Sequence, residues 1–193
     1  MSAIRVFVRD GVARNDRSVL HDAIGAVSGY APSAVEVEYR CVRCGLVGHG
    51  KPNVVTPAGY FASLSRSGEL VAVAVTDAGP IGIDITNVAA VSRADVGAVL
   101  RHPEDDAFTP VEIARSWAAK EAVLKATGWG LHVEASGIAI AAGVVEFWPA
   151  ELELDEAPGL AYFEVRAGVV GAVAVLGGAD LHVDLRRLER DAS

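Results

Sequence analysis

The sequence predicts an α+β fold, with helices packed on antiparallel sheets. Two observations carry that expectation. The first half runs strand, helix and then several strands, and the second half runs helix and then several strands. One long helix is also fully punctuated, from Thr109 to Gly128. A third observation is fainter: Val73-Ala74-Val75 and Val173-Ala174-Val175 each close an apolar strand before a glycine turn. The echo suggests a duplicated architecture.

Taken in order, Ile4–Val8 reads as a strand, Arg17–Val27 as a helix and Val35–Arg40 as a strand. Residues 45–59 read as a Gly/Pro-rich loop. Leu70–Val75 is strongly β-prone, and Asp77-Ala78-Gly79-Pro80 turns it into a second strand, Ile81–Thr86. Ser92-Arg93-Ala94-Asp95 has the pattern of a helix start. The long helix follows, with Thr109 as N-cap, Pro110 in the first turn, Glu112 completing a capping box and Gly128 as stop. Ile113, Ala114, Trp117 and Leu124 form its expected apolar stripe. Strands are expected at Gly137–Ala141, Val144–Trp148, Ala161–Arg166 and Val169–Leu176.

Composition narrows the function. The 193 residues are 51% apolar and 22% charged, which excludes a disordered chain and allows a sizeable core. A net charge of −8 argues against a nucleic-acid binder, whose affinity rests on neutralising phosphates. The start, MSAIRVFVRD, carries Arg5, Arg9 and Asp10 within the stretch where a signal peptide needs an apolar core. The apolar run at residues 167–179 is too short and too glycine-rich to span a bilayer. A cytoplasmic enzyme is the expectation. Cys41 and Cys44 form C-x-x-C ahead of His49, which is either half a zinc site or a pair of reduced thiols in a loop. With no second ligand pair at a convincing spacing, reduced thiols are the expectation.

Four segments could carry chemistry. In Gly82-Ile83-Asp84-Ile85-Thr86, alternation puts the isoleucines on one face and Asp84 with Thr86 on the other. A carboxylate in so apolar a strand either pairs with a cation or faces water at a sheet edge. On the long helix, Glu121 lies four residues after Trp117 and four before Lys125, which reads alone as an ordinary surface pair. Residues 45–52 nearly match a P-loop. Pro52, however, stands where the hydroxyl is needed, and no helix follows, so a nucleotide triphosphatase is rejected. In residues 61–68, Ser65 and Ser67 flank Arg66, a grouping suited to a phosphate or to a polar turn.

The order of these segments is more specific than any one of them. Gly50-Lys51-Pro52, then Phe61 to Ser67, then Gly82-Ile83-Asp84, then Trp117-Ala118-Ala119-Lys120-Glu121-Ala122-Val123-Leu124-Lys125 resembles the 4′-phosphopantetheinyl transferases. The likeness is to the larger, single-chain, pseudo-dimeric type that serves polyketide and nonribosomal peptide synthases. It spans residues 50–125. It implies two similar halves related by pseudo-twofold symmetry, each a helix on an antiparallel sheet, here residues 1–80 and 81–193. It implies transfer of phosphopantetheine from coenzyme A to a serine of an apo acyl or peptidyl carrier protein by a Mg²⁺-dependent monomer.

The resemblance also assigns roles. Asp84 and Glu121 would hold Mg²⁺, and Glu121 would take the proton of the carrier serine. Lys125 would neutralise the departing phosphate, and Lys120 would support the phosphates. Lys51 and Pro52 would line the adenine side, while Ser65 and Arg66 would hold the 3′-phosphate. Two departures stand out: Thr86 replaces a frequent second carboxylate, and Arg66 replaces a histidine. The alternative is a catalytically silent module that binds coenzyme A or a carrier protein.

Overall fold

Alternating side chains on four strands set the architecture. On β6 (Ile81–Asn87) the isoleucines at 81, 83 and 85 are buried on one face. They meet Ile4, Val6 and Val8 of β1 (Ser2–Arg9) and Leu70, Ala72 and Ala74 of β5 (Leu70–Thr76). Val169, Val173 and Val175 of β10 (Val169–Val175) complete this layer. Such period-two patterns bury both faces of a strand only where each face has a cover. The covers are two helices. The structure, a computed structural model, describes residues 2–12, 17–93, 101–178 and 180–188.

On one outer face α1 (Ser18–Ser28) lays Val19, Leu20, Ala23 and Ile24 over Phe7, Val71, Val73 and Val75. On the other, α3 (Pro110–Thr127) packs on β6 and β10. The order of layers is helix, sheet, sheet, helix, as the α+β expectation requires. The α3 contact differs from the expected stripe. Ala114 and Leu124 are buried, but Ile113 and Trp117 are only half-buried, and Ala118, Ala119 and Ala122 make the close contact. Gly82 explains the closeness, because a Cβ there would sit 1.9 Å from the Ala122 carbonyl oxygen.

One sheet has the order β11-β1-β5-β4, the other β6-β10-β9, with β4 at Phe61–Ser67, β9 at Gly159–Arg166 and β11 at Leu181–Arg187. In the first, β1 pairs antiparallel with β5 and β5 with β4; in the second, β6 pairs antiparallel with β10 and β10 with β9. The Val-Ala-Val echo lies within β5 and β10 but on opposite faces, for Val73 and Val75 lie under α1 while Val173 and Val175 face the layer between the sheets. β11, from the other side of residue 80, pairs in parallel with β1.

Most differences from the sequence reading concern segments without strong periodicity. The loop expected at residues 45–59 contains β3 (Lys51–Thr56), hairpinned to β2 (Glu36–Arg40). The segment that could have been a polar turn is β4. An unexpected helix, α2 (Val88–Arg93), begins after Asn87, whose Oδ1 accepts from the amides of Ala89 and Ala90. What was expected after Arg93 lies outside the described residues up to Arg101. α3 has the predicted ends, including both halves of the Thr109–Glu112 capping box. A short hairpin, β7 (Ala139–Ala141) with β8 (Val144–Phe147), follows it. Among the described residues no helix is long and apolar enough to cross a membrane.

Candidate active site

The two sheets meet along β4 and β6, and hydroxyls stitch them together. Ser63 Oγ accepts from the Ile83 amide at 3.2 Å, and Ser65 Oγ from the Ile85 amide at 3.3 Å. Ser65 then donates to Asp84 Oδ1 at 2.6 Å. Thr86 donates to Asp84 Oδ2 at 3.1 Å, as the shared strand face requires. Asp84 is thus a seam residue facing α3, not an edge residue facing water.

From α3, Lys125 reaches back to the same carboxylate. Its Nζ lies 2.6 Å from Asp84 Oδ1 and 3.1 Å from the Ile83 carbonyl. Lys125 therefore pairs with Asp84 across the seam rather than forming an ordinary surface pair with Glu121. Glu121 is 8% exposed. Burial raises its carboxyl above the usual range, the charge of Asp84 adds to the rise, and Lys125 opposes it. A buried carboxylate beside a second one is a group that a cation would stabilise.

Lys125 also lines a cavity of about 600 Å³. Arg17, Lys51 and Arg66 share that wall, and among the described residues no carboxylate does. This concentration of positive charge runs against the net −8 of the chain. A cleft lined by one sign of charge attracts the opposite sign. Tyr39 and Trp129 give the cavity flat apolar surfaces, and the Arg17 guanidinium stacks 3.9 Å from the Tyr39 ring centre. Its size and mixed lining suit a phosphorylated ligand with an aromatic part.

Each expected residue can now be placed. Asp84, Glu121 and Lys125 belong to the seam, with Lys125 opening to the cavity. Lys51, Pro52 and Arg66 line it. Lys51 also donates to the Ala126 carbonyl, holding the hairpin to the C-terminal turn of α3, and burial lowers its ammonium to about 8.

Two of the expected residues stand in contacts of their own. Ser65 is 4% exposed and donates its single proton to Asp84. Lys120 lies 1% exposed in an ion pair with Asp105, 2.5 Å away, and does not line the cavity. Asp105 in turn accepts from the amides of Ile140 and His102, both at 2.8 Å.

Sequence reasoning missed Asp105, Arg17 and Tyr39. For Asp105 the only available signal was a second acidic residue beside it, Asp106, just ahead of the helix. Cys41, Cys44 and His49 come together, with their ligand atoms within 4.8 Å of one another. Compared with known proteins, the chain matches no family model and no curated sequence.

Proposed function

We propose that the chain is a 4′-phosphopantetheinyl transferase, acting on coenzyme A and an apo acyl or peptidyl carrier protein. One observation carries the reading. Asp84 of the G-I-D strand pairs with Lys125 of the W-x-x-K-E-x-x-x-K helix, and the buried Glu121 of that helix feels the charge of Asp84, beside a cavity lined by Lys51, Arg66 and Lys125. The shared strand order of the two sheets supports halves related by a pseudo-twofold axis, with β11 as an addition.

The residues fit a hard cation. Asp84 and Glu121 offer two carboxylates, Thr86 adds a neutral hydroxyl, and the buried Glu121 carboxylate is the group most in need of a positive neighbour. Magnesium bound there would act as a Lewis acid towards the pyrophosphate of coenzyme A.

The chain's own groups supply the rest. Arg66 and Lys51 bind the nucleotide end, with Arg66 on the 3′-phosphate and Tyr39 near the base. Glu121, its proton affinity raised by burial, accepts the proton of the carrier serine as that oxygen attacks the β-phosphate. The P–O bond to the leaving 3′,5′-ADP breaks as the serine–phosphate bond forms. Lys125 turns from Asp84 to the departing phosphate and offsets its charge. Ser65 keeps Asp84 oriented throughout.

The test is incubation with coenzyme A, Mg²⁺ and a panel of folded apo carrier proteins, read by intact mass. At least one carrier gains the phosphopantetheine mass, and chelating the metal abolishes the gain. Coenzyme A binding without any mass gain would favour the silent binding module instead.

A further inference from the structure

The loop between β2 and β3 is built unlike the rest of the molecule. Of residues 41–50 only Cys41 is buried, and Val42, Leu46 and Val47 are each more than half exposed. The apolar core does not hold it. Backbone hydrogen bonds nevertheless give it a defined path: the Gly45 amide to the Cys41 carbonyl, the Cys41 amide to the Leu46 carbonyl, and the Gly48 amide to the Tyr39 carbonyl. Gly50 is obligatory, because a Cβ there would lie 2.4 Å from the Arg40 carbonyl oxygen. Small segments that cannot bury apolar surface are commonly fixed by a metal.

The three soft ligands of the loop converge. Cys44 Sγ lies 3.4 Å from His49 Nε2, and the sulfur of Cys41 completes a group within 4.8 Å. A tetrahedral zinc with bonds of about 2.0–2.3 Å separates its ligand atoms by roughly 3.5–3.8 Å, so a contraction of about 1 Å suffices. Both cysteines are free thiols. Amides of Cys44 and Arg43 hydrogen-bond to the Cys41 sulfur, an environment suited to a metal-binding thiolate.

We propose that Cys41, Cys44 and His49 form a zinc site, with the fourth position left to water or an incoming group, and that it fastens the loop leading into Lys51 and Pro52. The site is separate from the carboxylate seam and needs softer ligands than magnesium does. Cys41 and His49 also line the cavity, so the metal would stiffen that wall. The zinc site does not depend on the chain being a transferase.

The test uses the full chain, reduced and then loaded with zinc or with cobalt(II) as a spectroscopic probe. The expected result is one tightly held zinc per chain and a cobalt spectrum with thiolate charge transfer and intense tetrahedral bands. Cys44→Ser and His49→Ala should each lose the metal while keeping wild-type circular dichroism. Hydrogen exchange of the amides at residues 41–51 should quicken when the zinc is removed. Less than a tenth of an equivalent in the loaded wild type, or full zinc retention in Cys44→Ser, would overturn the site. Unchanged exchange on zinc removal would overturn its role as a fastener.

Discussion

Two aspartate–lysine pairs involve the same helix, and they differ in their access to water. Lys120 and Lys125 leave α3 about 140° apart. The pair of Lys120 with Asp105 is sealed, with both side chains 1% exposed, and Asp105 has its oxygens committed to two backbone amides as well. The pair of Lys125 with Asp84 is open, with Lys125 27% exposed at the cavity wall. The chemistry of the two pairs is alike. A sealed pair has no room for a substrate and serves to fix the segment before α3 against β7. An open pair can exchange one partner for a ligand.

Substitutions that break this contrast should differ in kind as well as size. The largest expected loss of stability is at the sealed pair. Lys120→Ala leaves the Asp105 charge buried without its cation and should cost about 3–5 kcal/mol, read by denaturant unfolding. A cost under about 1 kcal/mol would mean that water reaches Asp105.

At the cavity the loss should appear in binding. Arg66→Ala should weaken coenzyme A roughly ten- to a hundredfold, about 1.5–3 kcal/mol, and leave dephospho-coenzyme A nearly unchanged. Calorimetry of both ligands on both proteins isolates the contact. Equal losses would place Arg66 away from the 3′-phosphate.

Gly82→Ala tests the geometry that joins strand and helix. The added methyl meets the Ala122 carbonyl, and the strain should cost about 1–3 kcal/mol and push α3 away from Asp84. An unchanged melting temperature would show that α3 shifts freely.

The smallest effect has the opposite sign. Because burial raises the folded-state affinity of Glu121 for its proton, its ionised form costs stability. Glu121→Gln should therefore raise the melting temperature at neutral pH. The gain should shrink as pH falls through the raised value and vanish below the ordinary carboxylate range. A gain that is independent of pH would contradict the burial of Glu121.

How much of this was legible in the sequence follows from where each signal lies. The ends of α3 were readable because Thr109, Pro110, Glu112 and Gly128 are all local signals. β3 was hidden because Pro52 and the glycines before it look like a loop, although Pro52 is tolerated in a two-stranded hairpin. β11 was hidden because its partner, β1, is at the other end of the chain and its own pattern is weakly apolar. Alternation placed Asp84 and Thr86 together correctly. Spacing could not reveal that Ser65 is committed to Asp84, nor that Lys120 is taken by a residue fifteen positions earlier. Both facts depend on tertiary contacts that no helical or strand period encodes.

The contrast between the two pairs rests on Lys125 being available for chemistry, and one measurement tests that directly. Transfer of phosphopantetheine to an apo carrier, followed by intact mass, should be compared in wild type and Lys125→Ala at matched folded fractions. The wild type should transfer, and a folded Lys125→Ala protein should do so at a rate lower by roughly a hundredfold or more. Equal rates in the two proteins would contradict it.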